Sequence, residues 1–164
     1  MRTIFALFDN FQNARVAVRK LLAKGTDRSA FNVIILEQVA RDEMDINFHT
    51  VDVDITSDVG TVTEFGLDRL LGGEQAVIIP NVGEILAAGE LATMLAKTAS
   101  DPDAVGGSFE RALEDFDVSK PLARTYVEAI RGGSLLLFLK VEDNEVPEAT
   151  AVLHANQGSY LSGT

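Results

Sequence analysis

The chain contains no cysteine, and this absence excludes more than any other feature. Disulfides, thiolate nucleophiles, iron–sulfur clusters and zinc sites built on thiolates are removed together. Histidine is scarce, His49 and His154 being the 2 in the sequence. Basic residues are few: 14 Lys and Arg stand against 25 Asp and Glu, a formal net charge of -11 with a pI near 4.5. A surface of that sign repels phosphate backbones and anionic lipid, because both kinds of binding draw on clustered Lys and Arg. Neither nucleic acid nor a membrane surface is therefore expected as a partner. No apolar run approaches the length of a membrane span, and the opening run ends at Asp9, too soon for a signal-peptide core. A cytoplasmic protein is the expectation. No Gly-x-Ser-x-Gly elbow, P-loop or dinucleotide fingerprint occurs in the context each requires.

What is present is an ordinary globular composition: 164 residues, 46% hydrophobic and 24% charged. That is enough chain to bury a real core without staples, and one domain spanning 1–164 is the simplest organisation. The most informative stretch runs from Arg131 to Val141. Two glycines end a helical pattern there, and an almost wholly apolar, leucine-rich run follows. It is short enough to be a buried strand, with Leu135, Leu137 and Leu139 on one face and Leu136, Phe138 and Lys140 on the other. Two apolar faces require cover on both sides of the sheet. Helices supply one side, and either the middle of the chain or a second subunit must supply the other.

The two ends of the chain share one plan. Thr3–Phe8 reads as a strand, Asp9 or Asn10 caps a helix with Ala14, Ala17, Val18 and Leu21 on its inner face, Gly25 stops it, and Phe31–Leu36 is a second strand. With Asp9 as cap, Gln12 completes a capping box. Likewise Gly133–Val141 is a strand, Glu142–Asn144 an acidic turn, and a helix follows with Pro147 in its first turn and Ala149, Val152 and Leu153 on one face. Gly158 ends that helix and Tyr160–Leu161 opens a last strand. Phe8 to Gly25 and Val141 to Gly158 span equal lengths. Joined as β-α-β-β-α-β, the halves predict an α+β, ferredoxin-like antiparallel sheet with core 1–37 and 132–164.

Residues 38–131 form a long, mostly helical insertion between strands two and three of that core. Phe48–Ile55 alternates as a half-exposed strand, and Thr61–Leu71 has a helical pattern. Ala76–Pro80 and Glu84–Ala88 read as two arms, either a small hairpin or extended segments laid on the core. Helices are expected from Gly89, after Ser108 as cap, and after Ser119 as cap, the last with Ala123, Tyr126, Val127 and Ile130 on its stripe.

The succession Ile79-Pro80-Asn81-Val82-Gly83-Glu84-Ile85-Leu86-Ala87-Ala88-Gly89, then Gly106-Gly107-Ser108 with Ala112-Leu113, then Tyr126-Val127-Glu128-Ala129-Ile130-Arg131-Gly132-Gly133, resembles the bacterial general stress or heat-induced stress protein domains. Phe8-Asp9-Asn10 with Ala14, Leu21 and Gly25 is similar to their start. The likeness covers most of the chain and departs from the family across 38–75. There the family shows an apolar, glycine-repeating helix, and this chain has Asp58, Glu64, Asp68 and Arg69. The resemblance implies a domain of unknown biochemical function and brings no catalytic residues.

The candidate sites all have plainer readings. His49 with Asp52, Asp54 and Asp58 is the nearest approach to a metal cluster, but a straight strand turns residue 49 away from 52 and 54. No calcium loop is spelled there. His154 falls beside its helix's apolar stripe, with Glu145 or Glu148 as conceivable partners for acid-base work. Gly72-Gly73, Gly106-Gly107 and Gly132-Gly133 read as helix stops and tight turns, the last at the wrong helix end for an anion. The expectation is thus no catalytic residue, no cofactor and no metal. The function expected is that of a non-catalytic stress-associated domain, a homo-oligomer (dimer) or the binder of a protein partner. The alternative is a small-molecule-binding protein or small enzyme with a pocket on the sheet, in the manner of dimeric α/β barrels, using His49 or Tyr126.

Overall fold

Apolar residues at both parities make Leu135–Val141 a strand buried on both faces, and the computed structural model places it inside a six-stranded sheet. The structure describes residues 1–36, 38–40, 42, 76–79, 83–89, 91–92 and 109–162. Its strands are β1 (Arg2–Phe8), β2 (Phe31–Leu36), β3 (Ala76–Ile79), β4 (Gly83–Ala88), β5 (Leu135–Val141) and β6 (Ser159–Ser162). Its longer helices are α1 (Phe11–Ala23), α2 (Phe109–Glu114), α3 (Lys120–Arg131) and α4 (Val146–Ala155). The strand order is β3-β4-β2-β5-β1-β6, and every neighbouring pair is antiparallel, so the class is α+β. β5 lies between β1 and β2. Its register with β1 runs unbroken from Val141 opposite Arg2 to Leu135 opposite Phe8.

Each face of the sheet carries its own core. On one, Ile4, Ala6, Val33, Ile35, Leu137 and Leu139 pack beneath Ala14, Val18 and Leu21 of α1 and Ala149 and Leu153 of α4. On the other, Phe5, Leu7, Ile34, Leu136 and Phe138 pack beneath Leu113 of α2 and Ala123, Tyr126 and Ile130 of α3. Each fully buried Leu or Phe stabilises the fold by roughly 1.5–3 kcal/mol. The second face is therefore covered by α2 and α3 of the same chain. No second copy is needed to cover these residues, which removes the physical ground for inferring a dimer from a bare sheet face.

Helix ends explain several departures from expectation. Asn10, not Asp9, caps α1: its side-chain oxygen accepts from the backbone N–H groups of Gln12 (2.8 Å) and Asn13 (3.4 Å). Asp9 instead accepts from Ser134 Oγ at 2.8 Å, so the Asp9–Gln12 capping box does not form. Ser119 occupies the cap position of α3 without making a side-chain cap bond. α3 closes in a Schellman turn in which Gly133 N–H donates to Ile130 C=O and Ser134 N–H to Ala129 C=O. Gly133 takes φ +104° for that turn, which is why β5 begins at Leu135 and not at Gly133. α4 closes the same way, but the left-handed position falls on Gln157 (φ +70°), with Gly158 one residue beyond it.

Of the two arms, Ala76–Ile79 and Gly83–Ala88 form a hairpin, and β4 extends the sheet by pairing with β2 from Val33 opposite Ala88 to Leu36 opposite Ile85. The expected strand Phe48–Ile55, the helix Thr61–Leu71, the Ser108 cap and most of the helix after Gly89 lie outside the described residues. Among the described residues no helix is long and apolar enough to cross a membrane.

Candidate functional site

Asn32 is the one polar residue inside the otherwise apolar β2, and it is 1% exposed. Its side-chain amide donates to Ala30 C=O at 3.2 Å, while its oxygen accepts from the backbone N–H of Leu91 (2.9 Å) and of Ala92 (3.1 Å). It thus satisfies two backbone donors of a helical segment remote in sequence, in the manner of a helix cap. Gly89 makes this approach possible. A Cβ there would stand 2.5 Å from both Asn32 Oδ1 and Phe31 O.

The second polar centre is Tyr126. α3 lays its ring against Phe5 (centroids 5.9 Å apart), which stacks in turn on its cross-strand neighbour Phe138 at 4.8 Å. Phe116 closes the group edge-on, 6.4 Å from both Phe5 and Phe138. At the far end of this aromatic cluster the Tyr126 hydroxyl donates to the carbonyl of Tyr160 in β6. Burial pushes the Tyr126 hydroxyl above the ordinary phenol range. The residue is 0% exposed.

Phe116 also forms part of a surface cleft of about 410 Å³ where the start of β1, the end of β6 and the turn after α2 meet. Arg2, Thr3, Asp115, Asp117 and Ser162 line it, together with Met1. Arg2 Nε lies 3.5 Å from Asp143 Oδ1, outside that lining. The lining is thus polar and of mixed charge, with the carboxylates of Asp115 and Asp117 and the guanidinium of Arg2.

Of the residues singled out by sequence, several cannot be set beside these features. His49, Asp52, Asp54, Asp58, Gly72-Gly73 and Gly106-Gly107 lie outside the described residues. His154 is exposed on α4, and its conceivable partners are engaged elsewhere. Glu148 meets Lys24 at 2.8 Å, and Glu145 accepts from Glu142 N–H at 2.9 Å. Gly132-Gly133 closes α3, as its place after a helix implied. Among the described residues no group of three or more His, Asp or Glu is placed to hold a metal ion. Sequence reasoning missed Asn32 and the Tyr126–Tyr160 bond. A lone amide in a buried β-branched run was a visible signal for the first, whereas the second had none. Comparison with family models, with curated proteins and with solved structures finds no match for this chain.

Proposed function

We propose that this chain is a non-catalytic domain of the bacterial general stress type that acts by self-association or by binding a protein partner. The observation that carries this reading is where the two buried asparagines and Tyr126 point among the described residues. Asn32 is tied to Ala30, Leu91 and Ala92, Asn156 donates to Val152 C=O, and Tyr126 donates to Tyr160 C=O. Catalytic sites hold such groups toward substrate, whereas here they are fixed on the main chain and serve the architecture. The strand order β2-β5-β1-β6, with α1 and α4 packed on one face, supports a ferredoxin-like β-α-β-β-α-β core in which 38–131 is the insertion. Two stretches that carry the family likeness also fall on structural joints. Ile79–Gly89 includes the end of β3 and all of β4, and Tyr126–Gly133 is the end of α3 with its closing turn. Light scattering over a wide concentration range tests the self-association arm, and an assembly larger than a monomer is expected. A monomer at every concentration would leave partner binding as the surviving arm, tested by affinity capture with the sheet core intact.

The cleft favours a second reading, a small-molecule-binding protein. Its volume of about 410 Å³ lies within the range of ligand pockets, roughly 300–1,000 Å³. It opens at the start of β1 and not on a sheet face, since both faces of β1, β2 and β5 are covered. A rise in melting temperature with a polar or cationic metabolite, abolished by Asp115→Asn with Asp117→Asn, is the expected result. A panel that leaves the melting temperature unmoved disposes of this reading.

A further inference from the structure

β6 is held differently from the strands around it. Its register with β1 slips between Leu7 opposite Ser159 and Phe5 opposite Ser162, and none of its residues is buried. Two residues bearing side chains stand in the left-handed region within it or just before it, Tyr160 at φ +51° and Gln157 at φ +70°, a conformation unfavourable to any residue with a Cβ. The connection from α4 is crowded as well. The absent Cβ of Gly158 would lie 2.7 Å from Leu153 O and 3.2 Å from Phe8 Cζ. What β6 covers is the reverse of itself. Ile4–Phe8 of β1 are fully buried between the two helical layers, and β1 pairs without interruption to β5. If β6 leaves, β1 presents a row of free N–H and C=O groups in a slot that accepts a strand.

The strand that fits this slot is β6 of a second copy. It brings the same register, the same Leu161 packed against the core, the same Ser159 Oγ bond to Leu7 C=O and the same Tyr160 carbonyl for the Tyr126 hydroxyl. We infer that β6 is an exchangeable strand, and that self-association of this chain proceeds by swapping β6 between two copies about a hinge at Asn156–Gly158. The inference rests on the self-association reading above and gives it a surface. Because the closed and swapped forms make the same strand contacts, those contacts cancel in the dimerisation equilibrium, and the hinge decides it. In the closed chain Gln157 is fixed left-handed by its own N–H bond to His154 C=O (3.1 Å) and the Gly158 bond to Leu153 C=O (2.8 Å). An extended hinge releases both residues.

Two variants of the full chain separate hinge from contact. Gln157→Gly removes the unfavourable conformation from the closed form and is expected to raise the dimer dissociation constant on the order of tenfold per hinge, so about a hundredfold for the dimer. Tyr126→Phe deletes a bond present in both forms. It is expected to leave that constant in place while speeding heterodimer formation between isotope-labelled and unlabelled dimers about fivefold, read by native mass spectrometry. A dimer whose constant ignores Gln157→Gly, or whose exchange rate ignores Tyr126→Phe, associates through another surface. That result overturns strand exchange while sparing self-association. A chain that stays monomeric even after refolding at high concentration overturns both.

Discussion

The first and last thirds of the chain share one β-α-β plan and seat its second strand differently. α1 ends on Gly25 at φ +101°, with nothing near the place a Cβ would occupy, and leads to β2, which is paired on both edges and buried from Phe31 to Ile35. α4 ends on Gln157, wedges Gly158 against Leu153 and leads to β6, which pairs with β1 alone among the described residues. Connectivity is the same, so the difference lies in what packs on the product. A strand seated between two others and beneath two helical layers is fixed by burial, and an edge strand rests on few contacts. The largest test contrasts the central strand with the edge. Phe138→Ala removes a ring stacked on Phe5 and is expected to cost about 3–5 kcal/mol in chemical denaturation. Leu161→Ala, partly buried at the edge, is expected to cost about 1 kcal/mol or less. Equal losses would mean that β6 is as firmly seated as β5.

The glycines sharpen the contrast, because the two ends need glycine for different reasons. Gly158 is glycine for space, so Gly158→Ala must push on Leu153 O and the Phe8 ring, at about 1–3 kcal/mol. Gly25 is glycine for its backbone angle, and Gly25→Ala meets open space but costs about 1 kcal/mol in the left-handed region. Asparagine tells them apart. It tolerates φ above zero, so Gly25→Asn is expected to recover most of the alanine loss in the melting temperature. Gly158→Asn should recover none.

Much of the sheet was legible because its signals are local. Leucine at both parities marked β5 as covered on both faces, and the spacing of Ala14, Ala17, Val18 and Leu21 marked the inner face of α1. What stayed hidden depends on partners far along the chain. Nothing near Asn32 spells that it will bind the backbone N–H groups of Leu91 and Ala92, and nothing near Glu84 spells that β4 will pair with β2. Which layer covers the second face was open for the same reason, and α2 and α3 answer it. At helix ends the competition is among neighbours. Asp9 and Asn10 are both good caps, and Ser134, distant in sequence, takes Asp9 away. The cleft draws on residues from three parts of the chain and left no motif.

The bond between α3 and the edge strand gives a smaller effect with a pH signature. Tyr126→Phe leaves the Tyr160 carbonyl without its donor and is expected to cost about 1 kcal/mol at neutral pH. The phenol's pKa is raised in the folded chain by burial, from an unfolded value of 10.0. The folded state therefore holds the proton more tightly. Its contribution is complete below pH 10.0 and diminishes as pH rises above it, since the unfolded phenol ionises first. Urea midpoints of the wild-type chain should thus fall more steeply above that pH than those of Tyr126→Phe. Parallel curves would show that the hydroxyl is not buried in solution.

The smallest expected effect joins the two thirds directly. Lys24, at the cap of α1, places Nζ 2.8 Å from Glu148 Oε1 in the first turn of α4, linking the helix that leads to the central strand β2 with the one that leads to the edge strand β6. The side chains are 46% and 61% exposed, so water and salt screen most of the attraction, and holding both chains in one geometry costs entropy. Lys24→Met keeps the alkyl stem and is expected to lower stability by less than about 0.5 kcal/mol, a difference that vanishes in high salt. Glu148 also lies at the positive end of α4. Glu148→Gln is therefore expected to lose slightly more than Lys24→Met, and the excess over a double-mutant cycle is the helix-end share. If the pair proved worth several kcal/mol and salt left it unchanged, the two helices would be coupled by charge and not, as their shared apolar core implies, by packing.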